Sequence, residues 1–285
     1  WGQDDLANNQ QRLFKPDNHA SWAEALKMVV KAAKVANKID LPDSELYLQT
    51  YPQWAMPYYT FAREQGAMNF KQDDLSITYP TREEIAMLIV RSLGLDNKLE
   101  DYPELALEFV DKADFTDATM DRYGQIARIY GLFMTNDFAF PQGKVTRGEL
   151  AQVISKIFMM PSAEIDVVNS VEFGDSFSIN PLINRQAKII NDAYELVDSS
   201  VSLAVEYAIN FQRLSDLTID SSSMNVGSNT LIALVDNNGV RDFISKEIAV
   251  SFTDNDFDGV QDATDIWADD YRYQLDANQN QIPDI

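Results

Sequence analysis

The sequence predicts a multidomain chain in which an all-α domain of helical repeats is followed by an all-β sandwich and then by acidic, cation-binding loops. Three observations carry this expectation. Residues 80–91 and 145–156 read PTREEIAMLIVR and VTRGELAQVISK, two helix starts written to one pattern. Residues 201–211, VSLAVEYAINF, alternate apolar and polar side chains with the period-two signature of a half-buried strand. The last 32 residues carry nine Asp against one basic residue, Arg272.

Composition narrows the function. With 285 residues and 45 % hydrophobic content, the chain suffices for roughly two domains with ordinary cores. No apolar stretch approaches the roughly 18 residues of a membrane span, so none is expected. The first residue is Trp1, from which the chain reads as a mature or trimmed fragment. Cysteine is absent, which excludes disulfides, thiolate metal sites and cysteine nucleophiles. The single histidine, His19, lies in the polar stretch DNHAS and reads as an exposed loop residue in preference to a catalytic one. Forty-five acidic and 23 basic residues give a net charge of -22. Long-range attraction to nucleic acid or to an anionic membrane is therefore not expected, and cations become the natural partners.

The helical elements follow in order from their starts. Thr81 and Thr146 read as N-caps, with Glu84 and Glu149 reaching back as the other half of a capping box. Ile85, Leu88, Ile89 and Leu93 then fall at helical spacing, as do Leu150, Val153, Ile154 and Ile157. A third copy begins at SWAEA, with Ser21 as cap, Glu24 as its partner, and Leu26, Val29, Val30 and Ala33 as the apolar stripe. Gly66 and Gly131, each ending a preceding helical segment, stand 15 positions before Thr81 and Thr146. That equal offset marks a two-helix repeat.

Helix, glycine, an aromatic-proline segment such as Phe14-x-Pro16 or Phe140-Pro141, and then a T-R-x-E start resemble the S-layer homology (SLH) motif of bacterial surface proteins. The resemblance covers about residues 1–160. It implies a pseudo-threefold helical prism whose grooves hold an acidic cell-wall polysaccharide, with the arginine of each T-R-x-E segment as a principal ligand. On this sequence those arginines are Arg82 and Arg147, with Gly66 and Gly131 allowing close approach of the glycan. An arginine in the first turn stands beside unpaired backbone amides and the positive helix end, a setting that suits a carboxylate, although a surface salt bridge is the plainer reading of each one alone. In the first copy the arginine position is Trp22, which reads either as a core anchor, the favoured reading, or as a stacking ligand for a sugar face.

Beyond residue 161 the strand signal takes over, with LTID, TLIALVD and EIAVSF, and Asn238-Gly239 as a hairpin turn. VGSNTLIALVDNNG followed by KEIAVSF resembles the closing strands of bacterial immunoglobulin-like modules. Residues 182–198 are compatible with helix or strand. At residues 254–265, DNDFDGVQDATD places Asp254, Asp256, Asp258, Val260, Asp262 and Asp265 at calcium-loop spacing, with Gly259 for the turn. This loop resembles a thrombospondin type-three repeat. A second, less acidic copy offers Asp276, Asn278, Asn280, Ile282 and Asp284, and the pattern suggests that the chain continues beyond Ile285.

The expected organisation is therefore SLH-like repeats over 1–160, an immunoglobulin-like β-sandwich over 161–252, and calcium-binding repeats over 253–285. The expected function is that of a non-catalytic, extracellular cell-surface or cell-wall protein, with anionic cell-wall polysaccharide and calcium as partners. Two alternatives stay open. One is a self-assembling surface lattice or filament subunit that contacts copies of itself through the same grooves. The other is the anchor region of a larger surface hydrolase.

Overall fold

The computed structural model describes residues 14–37, 52–68, 78–97, 107–190, 193–198 and 204–254. They form two compact units. One draws on Trp1–Pro161, Arg185–Ser199 and Asn237–Arg241, and the other on Ser162–Asn184, Ser200–Asp236 and Asp242–Ile285.

The first unit is built on five α-helices among the described residues: α1 (Trp22–Asn37), α2 (Met56–Glu64), α3 (Arg82–Ser92), α4 (Ala118–Ile129) and α5 (Arg147–Met159). Three of them start alike. Thr81 and Thr146 each accept from the amide of the third helical residue, and Glu84 and Glu149 reach back to the cap amides at 2.7 and 2.8 Å. Ser21 and Glu24 repeat the exchange at 3.1 and 3.4 Å. Each box satisfies amides that a helix start leaves without partners, which is why the chain turns into helix at these points.

The buried stripes then fix which face turns inward. Ile85, Leu88 and Ile89 of α3, Leu150, Val153 and Ile157 of α5, and Leu26, Val29 and Val30 of α1 are all buried. Each such side chain removed from water contributes about 1.5–3 kcal/mol. α1 packs against α5, α3 and α2, while α3 packs against α4. The helices that lead the second and third motifs, α2 and α4, thus lie on the capped helix of the motif before.

Helix ends recur as well. Gly66, Gly94 and Gly131 adopt φ of +61°, +70° and +68°. The amides that follow them, of Ala67, Leu95 and Leu132, reach back to the carbonyls of Ala62, Val90 and Ala127 at 2.7, 2.9 and 2.9 Å. These are Schellman stops, in which glycine takes the left-handed conformation that a Cβ disfavours.

The expected division into an all-α domain and an all-β sandwich is overturned: the chain is mixed α/β. Ten strands accompany the helices among the described residues: β1 (Ser162–Asp166), β2 (Ser170–Glu172), β3 (Ser176–Ser178), β4 (Asn180–Ile190), β5 (Ala193–Asp198), β6 (Ala204–Ile209), β7 (Gln212–Arg213), β8 (Thr218–Asp220), β9 (Gly227–Asn237) and β10 (Val240–Ser251). They make a three-stranded sheet ordered β1-β4-β5, a five-stranded sheet ordered β2-β10-β9-β6-β7, and a two-stranded sheet of β3 and β8. Of residues 182–198, compatible with either state in sequence, 182–190 lie in strand β4 and 193–198 form β5, paired antiparallel from Arg185↔Asp198 to Ile190↔Ala193.

Two features defeat the earlier division. First, the helical unit is completed by strand residues: Arg185–Ser199 and the tip of the β9–β10 hairpin belong to it. The tip serves two helix ends, since Asn237 Nδ2 donates to the Met159 carbonyl at 2.7 Å and the Arg241 backbone amide donates to Tyr130 O at 3.1 Å. Carbonyls at helix ends need such outside donors. Second, the five-stranded sheet is mixed, because β2 pairs parallel with β10 through Ala249↔Ser170 to Ser251↔Glu172. A parallel pair requires a long crossover and cannot arise from the chain of hairpins that turn signals suggest.

The second unit has its own core. Ile209, Leu231, Ala233, Val235, Ile248 and Val250 from the five-stranded sheet meet Phe177 and Ile219 from the β3–β8 pair. At the turn of the β9–β10 hairpin, Asn238 and Gly239 both take positive φ, +53° and +84°. That is the backbone a two-residue hairpin turn asks for.

Candidate functional site

The T-R-x-E starts are brought together at seams between successive motifs. The amide of the residue after each cap donates to the segment that leads into another motif: Trp22 to Thr78 O at 3.0 Å, Arg82 to Gly143 O at 2.9 Å, and Arg147 to Asn18 O at 2.9 Å. Thr78, Gly143 and Asn18 each lie three residues before a cap, so one contact is repeated around a pseudo-threefold ring. Near its centre the Ala20 amide donates to Val145 O at 3.0 Å, and the Val145 amide reaches Pro80 O at 3.5 Å. All three of these residues are buried.

The two candidate arginines lie at these seams and are engaged. Arg82 Nε donates to the Ala139 carbonyl at 2.8 Å, its Nη1 bonds Glu149, and its guanidinium stacks over Phe133 at 4.6 Å from the ring centre. Arg147 holds Glu24 with both Nη2, at 2.6 Å, and Nε, at 3.3 Å. The partner in each case is the capping-box glutamate of the next motif around the ring. In Glu149, Oε2 serves its own cap while Oε1 takes Arg82; in Glu24, Oε2 serves its cap and also accepts from Arg147 Nε, while Oε1 takes Arg147 Nη2. Side-chain exposure is 17 % for Arg82 and 29 % for Arg147, so neither is fully withdrawn from solvent.

The other glycan-site residues fall as follows. Trp22 is half-buried in the arginine position of the first motif. Gly66 does not face open space: an added Cβ there would lie 2.2 Å from Arg91 Nη1, which donates to the Gly66 carbonyl at 2.8 Å. Beside Gly131 the same position is taken by the Gly239 carbonyl oxygen, 1.8 Å from an ideal Cβ. Both glycines act as helix stops, and protein atoms already occupy the space that close approach of a glycan requires. His19 is exposed, its ring edge-on to Tyr79 at 6.0 Å.

Sequence reasoning missed two carboxylates that shape the seam between the second and third motifs. Glu83 is buried and accepts from the Thr116 amide at 2.9 Å, from the Thr116 hydroxyl, and from Gln142 at 3.0 Å. Asp111 accepts from the amides of Ala139 and Phe140 at 2.8 and 2.7 Å, fixing the loop whose carbonyl Arg82 reads. The cross-motif arginine–glutamate pairing was also missed, although its signal was present: both partners stand in every complete T-R-x-E, two residues apart.

Of the calcium-loop residues, Asp254 is within the described chain; Asp256, Asp258, Val260, Asp262, Asp265, Asp276, Asn278, Asn280, Ile282 and Asp284 lie outside the described residues. Among the described residues no group of three or more His, Asp or Glu is placed to hold a metal ion. No helix among them is long and apolar enough to cross a membrane. No family model matches the chain, and no curated protein matches it.

Proposed function

We propose that the helical unit is a non-catalytic anchor of an extracellular surface protein, binding anionic cell-wall polysaccharide at the seams of Arg82 and Arg147. The observation that carries this reading is the repeat itself: one arginine, in the first turn of a capped helix, recurs at successive seams of a pseudo-threefold ring. Each guanidinium keeps one terminal nitrogen, Nη2 of Arg82 and Nη1 of Arg147, without a partner among the described residues. A ligand carboxylate can therefore share the fork, or displace the protein's own glutamate, with charge-assisted bonds of about 1.5–3 kcal/mol. Calcium belongs to the same reading through the acidic segment that starts at Asp254.

The test is binding of purified, pyruvylated wall polysaccharide to wild type, to Arg82→Ala/Arg147→Ala, and to Glu24→Gln. The double variant should lose about tenfold or more of the affinity while keeping its helical circular dichroism. Glu24→Gln removes the competing carboxylate charge and should bind at least as well as wild type. Unchanged affinity in the folded double variant overturns the reading and leaves the arginines as latches alone.

Self-assembly is a second reading with an observation of its own. Leu107, Val110, Phe138 and Phe140 are exposed by 41, 68, 47 and 62 % on adjoining loops, and the two phenyl rings stack at 5.8 Å. A patch of this kind suits contact with another copy of the chain. Concentration-dependent association lost in Phe138→Ser/Phe140→Ser would favour it.

A further inference from the structure

The three seams are not equivalent. We propose that the pseudo-threefold unit is a split ring, with the seam between the first and second motifs built to open first. Two independent observations fall on that one seam.

The first is the missing latch. The third and first motifs are tied by Arg147 to Glu24, and the second and third by Arg82 to Glu149. By the same geometry residue 22 should reach Glu84, because Trp22 N meets Thr78 O as Arg147 N meets Asn18 O, and Glu84 and Glu24 each follow that acceptor by six positions. Residue 22 is Trp, which has no charge to offer. Glu84 Oε2 serves its own cap, from Thr81 N at 2.7 Å and Thr81 Oγ1 at 3.1 Å. Its Oε1, the oxygen that takes the arginine in Glu149 and Glu24, has no partner among the described residues.

The second is the missing central bond. Ala20 N donates to Val145 O and Val145 N to Pro80 O, at 3.0 and 3.5 Å. The bond that would complete the triangle runs from residue 80 to the Ala20 carbonyl, and residue 80 is proline, which has no N–H to donate. The seam between the first and second motifs therefore lacks both the ion pair and the central backbone bond that the other two possess. Among the described residues this seam keeps the Trp22-to-Thr78 bond, the packing of α1 on α3 and α2, and Lys27 over the Trp54 ring. Local opening follows the weakest set of contacts, so the seam without the latch and the central bond opens before the other two.

Amide hydrogen exchange reads the three seams separately, because each has one reporter: Trp22 N–H, Arg82 N–H and Arg147 N–H. After correction for intrinsic rates, Trp22 should exchange about tenfold or more faster than the other two. Trp22→Arg supplies the missing latch and should slow exchange at residue 22, and adding Glu84→Gln should undo that gain. Should Trp22→Arg fail to fold, the glutamates decide. Glu149→Gln should speed exchange at Arg82 and Glu24→Gln at Arg147, whereas Glu84→Gln should leave Trp22 unchanged. All three swaps touch the capping box alike, so the difference isolates the latch. Equal protection at the three reporters, or equal responses to the three swaps, overturns the split ring.

Discussion

Arg82 and Arg147 occupy one motif position and yet carry different loads. The Arg82 side chain bonds a carbonyl and a carboxylate and covers the Phe133 ring, while among the described residues the Arg147 side chain bonds Glu24 alone. Removing Arg82 takes the guanidinium donor from the Ala139 carbonyl and from Glu149 Oε1 and uncovers an aromatic face. Arg82→Ala should therefore cost about 2–3 kcal/mol in urea unfolding. Arg147→Ala, breaking a pair about a third exposed on each side, should cost about 1 kcal/mol or less. Equal losses would show that the Ala139 and Phe133 contacts contribute nothing. A second residue-scale effect belongs to Asp96. Burial raises its carboxyl from its ordinary value, outweighing the lowering by Arg91 and Arg122. A raised carboxyl contributes stability below its unfolded pKa and loses it as pH rises through the folded value. The melting temperature of Asp96→Asn relative to wild type should therefore climb from the acid side of the carboxylate range toward neutrality. A difference that falls over that window would reverse the sign.

At the scale of elements, the three glycine stops form a graded series. At Gly94 an added Cβ meets nothing within 4 Å, at Gly66 it meets the movable end of Arg91, and at Gly131 it meets the backbone carbonyl of Gly239. All three share a positive φ, so each alanine pays left-handed strain of about 1–2 kcal/mol. Gly94→Ala should show that strain alone. Gly66→Ala should cost somewhat more, as Arg91 gives up its bonds to Gln65 O and Gly66 O. Gly131→Ala should cost the most, because backbone has to move, and it should also raise amide exchange at Arg241, whose N–H bonds Tyr130 O. Any other order in chemical denaturation would contradict the close approach at Gly131. The same elements show what the sequence reveals. Helix starts were legible because capping boxes are local: Thr81 needs only Glu84, three residues away. The alternation over 201–211 and the Asn238-Gly239 turn are equally local. Pairing is not. Nothing near β2 announces that it will lie parallel to β10, about eighty residues on, and nothing near Gly239 announces that its carbonyl will meet Gly131. The arginines were found for their position, while their partners depended on which motifs become neighbours around the ring.

For the whole molecule the dominant fact is charge. A net of -22 on 285 residues makes the folded chain repel itself, and nine of the aspartates fall in the last 32 residues. Two remedies exist, and they are separable. Monovalent salt screens charge everywhere within about 10 Å at 0.1 M, without regard to where the carboxylates are. A divalent cation acts only where several oxygens are brought to one point. The proposal of calcium puts that point in DNDFDGVQDATD, where alternate aspartates and a glycine match calcium-loop spacing in sequence. Calcium accepts six to eight oxygens in loose geometry, whereas magnesium demands a tighter octahedron and keeps its waters. Extracellular calcium modules fill at about 10⁻⁴ to 10⁻³ M calcium. At fixed ionic strength, millimolar calcium should therefore slow proteolytic cleavage near Asp258, while magnesium at the same concentration should do little. Asp256→Asn/Asp258→Asn should abolish the calcium effect and leave the response to sodium chloride intact, since screening does not depend on those two carboxylates. Identical cleavage in calcium, magnesium and chelator would reduce the segment to a solvated acidic stretch and leave screening as the chain's only remedy for its charge.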